Sequence, residues 1–167
     1  MPRLLWVAIV TVAAVTAARA GASTPPATVA CGSSIGASAH PRTGGYRIVL
    51  GVAGVPPPYL AQVVRSGAAQ AVPGWPKTWW RKNGLLIGAG KPAVTISVPP
   101  RLRRDVMLTW GGVTGVALRF PRCAPSGPLW AAYAGGFLLR ERRLCVTLDV
   151  TAGGRSRSVR FGLGRRC

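Results

Sequence analysis

The chain has 167 residues, of which 22 are lysine or arginine, 3 are aspartate or glutamate, one is histidine and four are cysteine. This length suits one domain with its own core and is too short for two comfortable ones. So few acids and a single histidine argue against catalytic or metal chemistry that needs several such groups, and the net charge of +19 favours anionic partners.

Residues 1–20 have the layout of a secretory signal peptide. Arg3 precedes an apolar run from Leu4 to Ala18, and Ala18 to Ala20 form a small-x-small cleavage site. The run is shorter than the roughly 18 residues that span a bilayer, although an uncleaved anchor is the alternative. We therefore expect export, with the protein secreted or associated with the cell envelope and with no transmembrane segment after the signal is removed.

The rest of the chain divides into a leader and a domain. Residues 21–45 are rich in glycine, serine and proline without periodicity, which predicts a flexible leader that is tied down at Cys31. Residues 46–167 then form a single β domain. Alternating apolar and polar residues predict strands at 46–52, 85–87, 94–98, 106–110, 116–120, 144–150 and 159–163.

The last two of these runs predict a closing hairpin that turns at residues 152–155, and a glycine-rich turn predicts another hairpin between 106–110 and 116–120. Residues 59–64 fit either a strand or a short helical turn. Glycine and proline interrupt the chain often, and the mature part shows no sustained helical periodicity. The pattern predicts an all-β fold, an antiparallel β-sandwich of about seven or eight strands, Ig-like or jelly-roll-like, with a barrel as the alternative.

The four cysteines predict two disulfides, because an even count in an exported chain is typical of a disulfide framework. In the closing hairpin Cys145 faces a position near Gly162, and Cys167 lies about five residues further along. That separation exceeds the roughly 7 Å Cα limit for a bridge unless the C-terminus doubles back. We therefore expect the pairs Cys123–Cys145 and Cys31–Cys167.

Several segments resemble a group of short exported proteins from high-GC actinobacteria. They are AYAGGF at 132–137, VRFGLGRRC at 159–167, VPPPYLAQVV at 55–64, the tryptophan-rich stretch that contains Trp80, and VTISVP at 94–99. The resemblance extends over most of the mature chain. It implies export and a compact disulfide-bonded domain, and it assigns no catalytic or binding residue.

The inventory of catalytic groups is small. His40 is the only histidine and lies in the leader, and no G-x-S-x-G motif accompanies it. The acids Asp105, Glu141 and Asp149 are scattered, and we expect the first two to be local charge partners and Asp149 to pair with Arg157 or Arg160 across the hairpin. We predict no catalytic residue, no metal site and no cofactor, with a weak hydrolase that uses His40 as an alternative.

Two groups of residues are candidates for binding. The first is an aromatic and basic stretch that suits stacking on sugar rings, unless its indoles cap the core: Trp75, Trp79, Trp80, Arg81 and Lys82. The second is a set of arginines near predicted strand ends, which form a binding patch only if their loops meet at one end: Arg101, Arg103, Arg104, Arg140, Arg142 and Arg143, with Arg165 and Arg166 at the C-terminus.

Charge gives the leading functional hypothesis. Removing residues 1–20 takes away two arginines and leaves 20 basic and 3 acidic residues, a net charge of +17. We predict a non-catalytic domain that associates with a wall polymer or an acidic glycan, with no specific nucleic acid as partner. A carbohydrate- or small-ligand-binding module at Trp79 and Trp80 is the alternative. The chain is also rich in residues that a GC-rich genome favours, which gives the charge a compositional explanation.

Overall fold

The computed structural model of the chain describes residues 25–38, 45–124 and 130–167. The expected signal peptide at 1–20 and His40 lie outside these ranges. Within them are three short 3-10 turns and sixteen strands, which are β1 (Ala27–Thr28), β2 (Gly36–Ser38), β3 (Arg47–Val49), β4 (Ala53–Val55), β5 (Tyr59–Leu60), β6 (Val64–Arg65), β7 (Trp79–Lys82), β8 (Leu85–Gly88), β9 (Val94–Ser97), β10 (Val106–Trp110), β11 (Val113–Gly115), β12 (Ala117–Phe120), β13 (Trp130–Tyr133), β14 (Gly135–Leu139), β15 (Leu144–Ala152) and β16 (Arg155–Leu163).

The strands form three sheets around one apolar core. Sheet I has the order β1-β12-β9-β15-β16-β5, sheet II the order β11-β10-β14-β7-β6, and sheet III the order β2-β13-β8-β4-β3. The pairs β1–β12 and β5–β16 are parallel, and the other pairs are antiparallel. No sheet closes on itself within the described ranges. The predicted all-β, disulfide-stapled sandwich is confirmed, built from more and shorter strands than the seven or eight expected.

Sheets II and III form one bent layer, because two stretches of chain pass from one to the other. β7 leads into β8 through residues 83–84, and β13 leads into β14 through residue 134. At the bend the Asn83 amide donates to the Gly135 carbonyl over 2.8 Å. Aromatic contacts then join this layer to sheet I, with ring centroids 5.3 Å apart for Phe137 and Phe161. The molecule is therefore a sandwich of sheet I against a bent second layer.

The glycine pair of the AYAGGF segment makes the bend possible. A Cβ on Gly135 would collide with the Thr109 carbonyl, and one on Gly136 would collide with the Arg81 carbonyl. Both glycines also have a positive φ, of 153° and 157°, which L side chains rarely adopt. The two neighbouring strands approach closely only because these positions carry no side chain.

The closing hairpin is confirmed. β15 and β16 pair from Leu144 opposite Leu163 to Ala152 opposite Arg155, and the turn contains Gly153 and Gly154. Cys145 lies opposite Gly162, as the hairpin register predicts. Alternate residues of β15 are buried, because one face of the strand packs on the core.

Two strand predictions are wrong in detail. Residues 46–52 are not one strand, because Leu50 and Gly51 take positive φ values of 52° and 71° and turn the chain between β3 and β4. The predicted hairpin between 106–110 and 116–120 does not form, because β10 pairs with a short strand inside the predicted turn. β11 pairs with β10 in sheet II, but the chain bends at Val116 and β12 then pairs with β9 in sheet I.

The disulfide prediction is wrong. The pairs are Cys31–Cys123 and Cys145–Cys167, with Cα–Cα distances of 5.7 and 5.8 Å, rather than Cys123–Cys145 and Cys31–Cys167. The tail after β16 doubles back, with a turn at Gly164, where φ is 66°. This return brings Cys167 close to Cys145. Along an extended strand the distance between the two residues would be too long for a bridge.

Residues 25–38 belong to the segment expected as a leader, and they contribute two strands. β1 pairs with β12 at the edge of sheet I, and β2 pairs with β13 at the edge of sheet III. The Cys31–Cys123 bridge lies between these strands in the sequence and links the segment to the residues that follow β12. This part of the chain is thus attached to both layers of the sandwich.

Candidate functional site

Two of the arginine-rich loops meet at one end of the bent layer. β14 ends where β10 begins, since Leu139 lies opposite Val106. Just beyond this pair the Arg140 amide donates to the Asp105 carbonyl over 2.9 Å. Residues 99–105, which carry Arg101, Arg103 and Arg104, therefore lie against residues 140–143, which carry Arg140, Arg142 and Arg143.

The C-terminal tail joins the same end. Leu144 starts β15 opposite Leu163, the last residue of β16. The next residue, Gly164, lies against the Arg142 carbonyl, which is 2.5 Å from the position a Gly164 Cβ would take. Arg165 and Arg166 follow directly. We call residues 99–105, 140–143 and 164–167 together the basic end.

The side chains of the basic end are mostly exposed. Seven of the eight predicted arginines there are exposed, and Arg103 is half-buried. The Arg103 Nε donates to the Val98 carbonyl over 3.1 Å, which fixes this side chain to its own loop. The exposed arginines are available to an anionic partner, and the acids on these loops are Asp105 and Glu141.

Two arginine side chains at the basic end lie over aromatic rings. The Arg142 guanidinium lies 5.6 Å from the centroid of the Trp79 ring, and the Arg166 guanidinium lies 5.4 Å from that of Tyr59. The attraction between a cation and the face of an aromatic ring is worth about 0.5–1 kcal/mol at exposed sites, and it holds the cation at the ring. Trp79 was expected as a binding residue, whereas Tyr59 was not, because its approach to Arg166 depends on the returning tail.

The three predicted tryptophans are not brought together. Trp79 and Trp80 are neighbours in β7, so their side chains point to opposite faces of sheet II. Trp79 packs against the core, and Trp80 lies on the outer face. Trp75 lines a second hollow of about 220 Å³ beside Arg65 and Lys77.

Arg81 and Lys82 also separate. Arg81 shares the inner face with Trp79, where its Nη1 donates to the Gln62 carbonyl over 2.8 Å. Burial lowers the pKa of this guanidinium, and its buried Nε makes no hydrogen bond within the described part of the chain. Arg81 is thus hydrogen-bonded to the segment that precedes β6 and stabilises its position. Lys82 is exposed on the outer face, at the end of β7 away from the basic end.

The remaining charged groups are distributed elsewhere. Asp149 accepts a hydrogen bond from the Ser158 hydroxyl directly across the hairpin, rather than pairing with Arg157 or Arg160 as predicted, because the register places Ser158 opposite it. In residues 25–38, 45–124 and 130–167 no three His, Cys, Asp or Glu side chains are grouped to hold a metal ion. The same ranges contain no helix with the length and apolar character of a membrane span.

Comparisons with protein-family models, with curated proteins and with solved structures found no match for this chain.

Proposed function

We propose that the protein is an exported, non-catalytic basic domain that binds an anionic polymer of the cell envelope through its basic end. The observation that carries this proposal is the meeting of three arginine clusters, distant in the sequence, at one end of the sandwich. Clustered guanidinium groups attract a polyanion more strongly than the same charges spread over a surface.

Export is supported by the two disulfides, because such bonds persist in oxidising compartments and are rare in the cytosol. It is supported further by the sequence pattern of residues 1–20. In an envelope, the polymers that carry phosphate or carboxylate groups are the partners that an exported chain of net charge +17 would meet and bind.

The experiment compares two variants that lose the same charge. Arg142→Gln with Arg143→Gln removes two exposed arginines from the basic end. Arg155→Gln with Arg157→Gln removes two exposed arginines from the tip of the closing hairpin. β15 has nine residues, so this tip lies about 26 Å from the basic end. Glutamine keeps part of the side-chain stem, which limits the loss of packing.

Each protein is bound to isolated envelopes and eluted with a gradient from about 50 to 500 mM salt, over which screening weakens exposed ion pairs. We expect the basic-end variant to elute at distinctly lower salt than the wild-type protein, and the hairpin variant to remain close to wild type. Equal shifts for both variants would show that charge acts without a site. Retention that does not depend on salt would contradict the proposal altogether.

A further inference from the structure

A groove on the outer face of sheet II adjoins the basic end. Trp80, Leu138 and Met107 lie side by side on three neighbouring strands and form its floor. Thr109 and Thr114 extend the floor toward the edge strand β11. The groove has a volume of about 340 Å³, which is at the small end of the range for ligand sites in proteins.

One wall of the groove is residues 70–73, and hydrogen bonds hold this segment in place. The Val72 amide donates to the Thr78 hydroxyl over 3.0 Å, and the Trp75 amide donates to the Val72 carbonyl over 3.1 Å. The Ser66 hydroxyl donates to the Thr78 carbonyl over 3.0 Å. Thr78 is 6% exposed, so the anchor is buried. The wall is therefore formed before any ligand arrives.

The lining combines a flat aromatic ring with neutral polar groups. Trp80 is half-buried and lines the groove with its indole, while the side-chain amide of Gln70 and the hydroxyls of Thr109 and Thr114 supply donors and acceptors. Among the described residues, those that line the groove include no charged side chain, although the chain as a whole is strongly basic. A sugar ring has the matching surface, with C–H groups on its face and hydroxyls at its rim.

A cation lies beside each end of this neutral groove. Lys82 follows Trp80 by two residues on the same face of β7 and is level with Thr109, with Gly136 between them. At the basic end Arg140 follows Leu138 by two residues, about 7 Å further along the chain at about 3.3 Å per residue. The charge pattern is thus basic, neutral and basic, which complements a polymer in which anionic groups are attached to sugar rings.

We propose that the anionic polymer is an acidic polysaccharide, and that one of its sugar rings stacks on Trp80 in this groove while flanking carboxylate or phosphate groups meet Arg140 and Lys82. This inference rests on the proposed function, because the basic end supplies the attraction to the polymer. It adds a requirement for sugar rings, which charge alone does not impose. Trp80, rather than Trp79, is then the residue that distinguishes a glycan from other polyanions.

The experiment measures binding of full-length, oxidised protein to two polyanions, polygalacturonate and polyglutamate, which share carboxylates but differ in having sugar rings. Wild-type protein should bind polygalacturonate about five- to tenfold more tightly than polyglutamate, since an aromatic stacking contact contributes on that order. Trp80→Ala should abolish the difference. Trp130→Ala removes a half-buried indole from sheet III, away from the groove, and should preserve it. Thr114→Trp, at an exposed position of the edge strand, fills the groove without removing a core contact and should also abolish it.

The outcomes separate the two proposals. Equal binding of the two polymers by the wild-type protein, or an unchanged preference in both Trp80→Ala and Thr114→Trp, would overturn the sugar site while leaving charge-driven binding intact. Absence of binding to either polymer, or binding that salt does not weaken, would overturn the proposed function and this inference with it.

Discussion

The carbonyl of Arg165 lies over Gly162, in the space that a Cβ of Gly162 would occupy. This contact is the point at which the C-terminal tail returns onto β16. Because the tail returns here, Cys167 reaches Cys145, with a Cα–Cα distance of 5.8 Å. The absence of one side chain thus permits a disulfide, and it also keeps Arg165 and Arg166 at the basic end, directly after Gly164, which lies against Arg142 and Arg143.

Gly162→Ala should therefore disturb the tail. The added methyl group meets backbone atoms, which cannot move aside as a flexible side chain can, so the tail must shift and the Cys145–Cys167 bridge with it. We expect a loss of about 2–4 kcal/mol in the free energy of unfolding, similar to the loss of a bridge. Chemical denaturation measures this loss, and thiol titration should detect unpaired cysteines.

The matched control is Gly67→Ala, where an added Cβ meets nothing within 4 Å and φ is −73°. It should be neutral or slightly stabilising. A second test places Gly162→Ala in a protein that already lacks both Cys145 and Cys167. The cost of the alanine should fall there, because the two changes share one mechanism. Additive costs would argue against a link between Gly162 and the bridge.

The two disulfides should differ in their contribution to stability. Cys31–Cys123 closes a loop with a sequence separation of 92, whereas Cys145–Cys167 closes one of 22. A bridge limits the unfolded chain more when the loop is longer, and the chain-entropy relation gives a difference of about 1.3 kcal/mol. Cys31→Ser with Cys123→Ser should thus cost more than Cys145→Ser with Cys167→Ser, as measured by urea denaturation. The reverse order would show that native-state packing, rather than loop length, dominates.

Local pattern was enough to predict the closing hairpin, including Cys145 opposite Gly162, since alternation and a Gly-Gly turn fix its register. The opposite orientation of Trp79 and Trp80 also follows from the period of a strand, although the two were assigned to one site. The disulfide pairing could not be derived, because it depends on the turn at Gly164 and on a close backbone approach.

The sequence pattern does not predict whether the arginine-rich loops meet at one end, for a similar reason. The neighbours of each loop are set by the order of the strands in the sheets. β10 lies beside β14, and Trp110 is paired with Gly135, although 24 residues lie between them in the sequence. The chain between these two strands first passes through sheet I and sheet III. A sequence pattern identifies each strand but contains little information on which distant strand it pairs with. The end of the sandwich on which a loop lies is thus a property of topology.

Gly136→Ala should be strongly destabilising. Its φ of 157° is unusual for an L residue, and its Cβ would collide with the Arg81 carbonyl of the adjacent strand. Strain and overpacking together should cost about 3 kcal/mol or more. Thermal unfolding measures the loss of stability. Gly67→Ala is again the control, because it makes the same glycine-to-alanine change. A variant as stable as the control would mean that β14 and β7 can separate without loss, which contradicts a bend that depends on this contact.

Alkaline pH should destabilise the fold through buried phenols. Burial raises the pKa of Tyr133 above its ordinary value of 10.0, and Tyr133 is 1% exposed. The folded state therefore favours the neutral phenol, so this contribution to stability is fully present below pH 10 and is lost as the pH rises through the higher, folded-state pKa. Burial raises the pKa of Tyr46 in the same sense.

We expect the free energy of unfolding of the wild-type protein to decrease above about pH 10. In the Tyr133→Phe variant this free energy should decrease less steeply, because phenylalanine has no proton to lose. Urea denaturation at a series of pH values measures both slopes. Tyr59→Phe removes a phenol from a ring that is 37% exposed and serves as the control for the loss of a hydroxyl group. A Tyr133→Phe slope identical to that of the wild-type protein would show that the pKa of Tyr133 is the same in the folded and unfolded states, which would contradict an effect of burial.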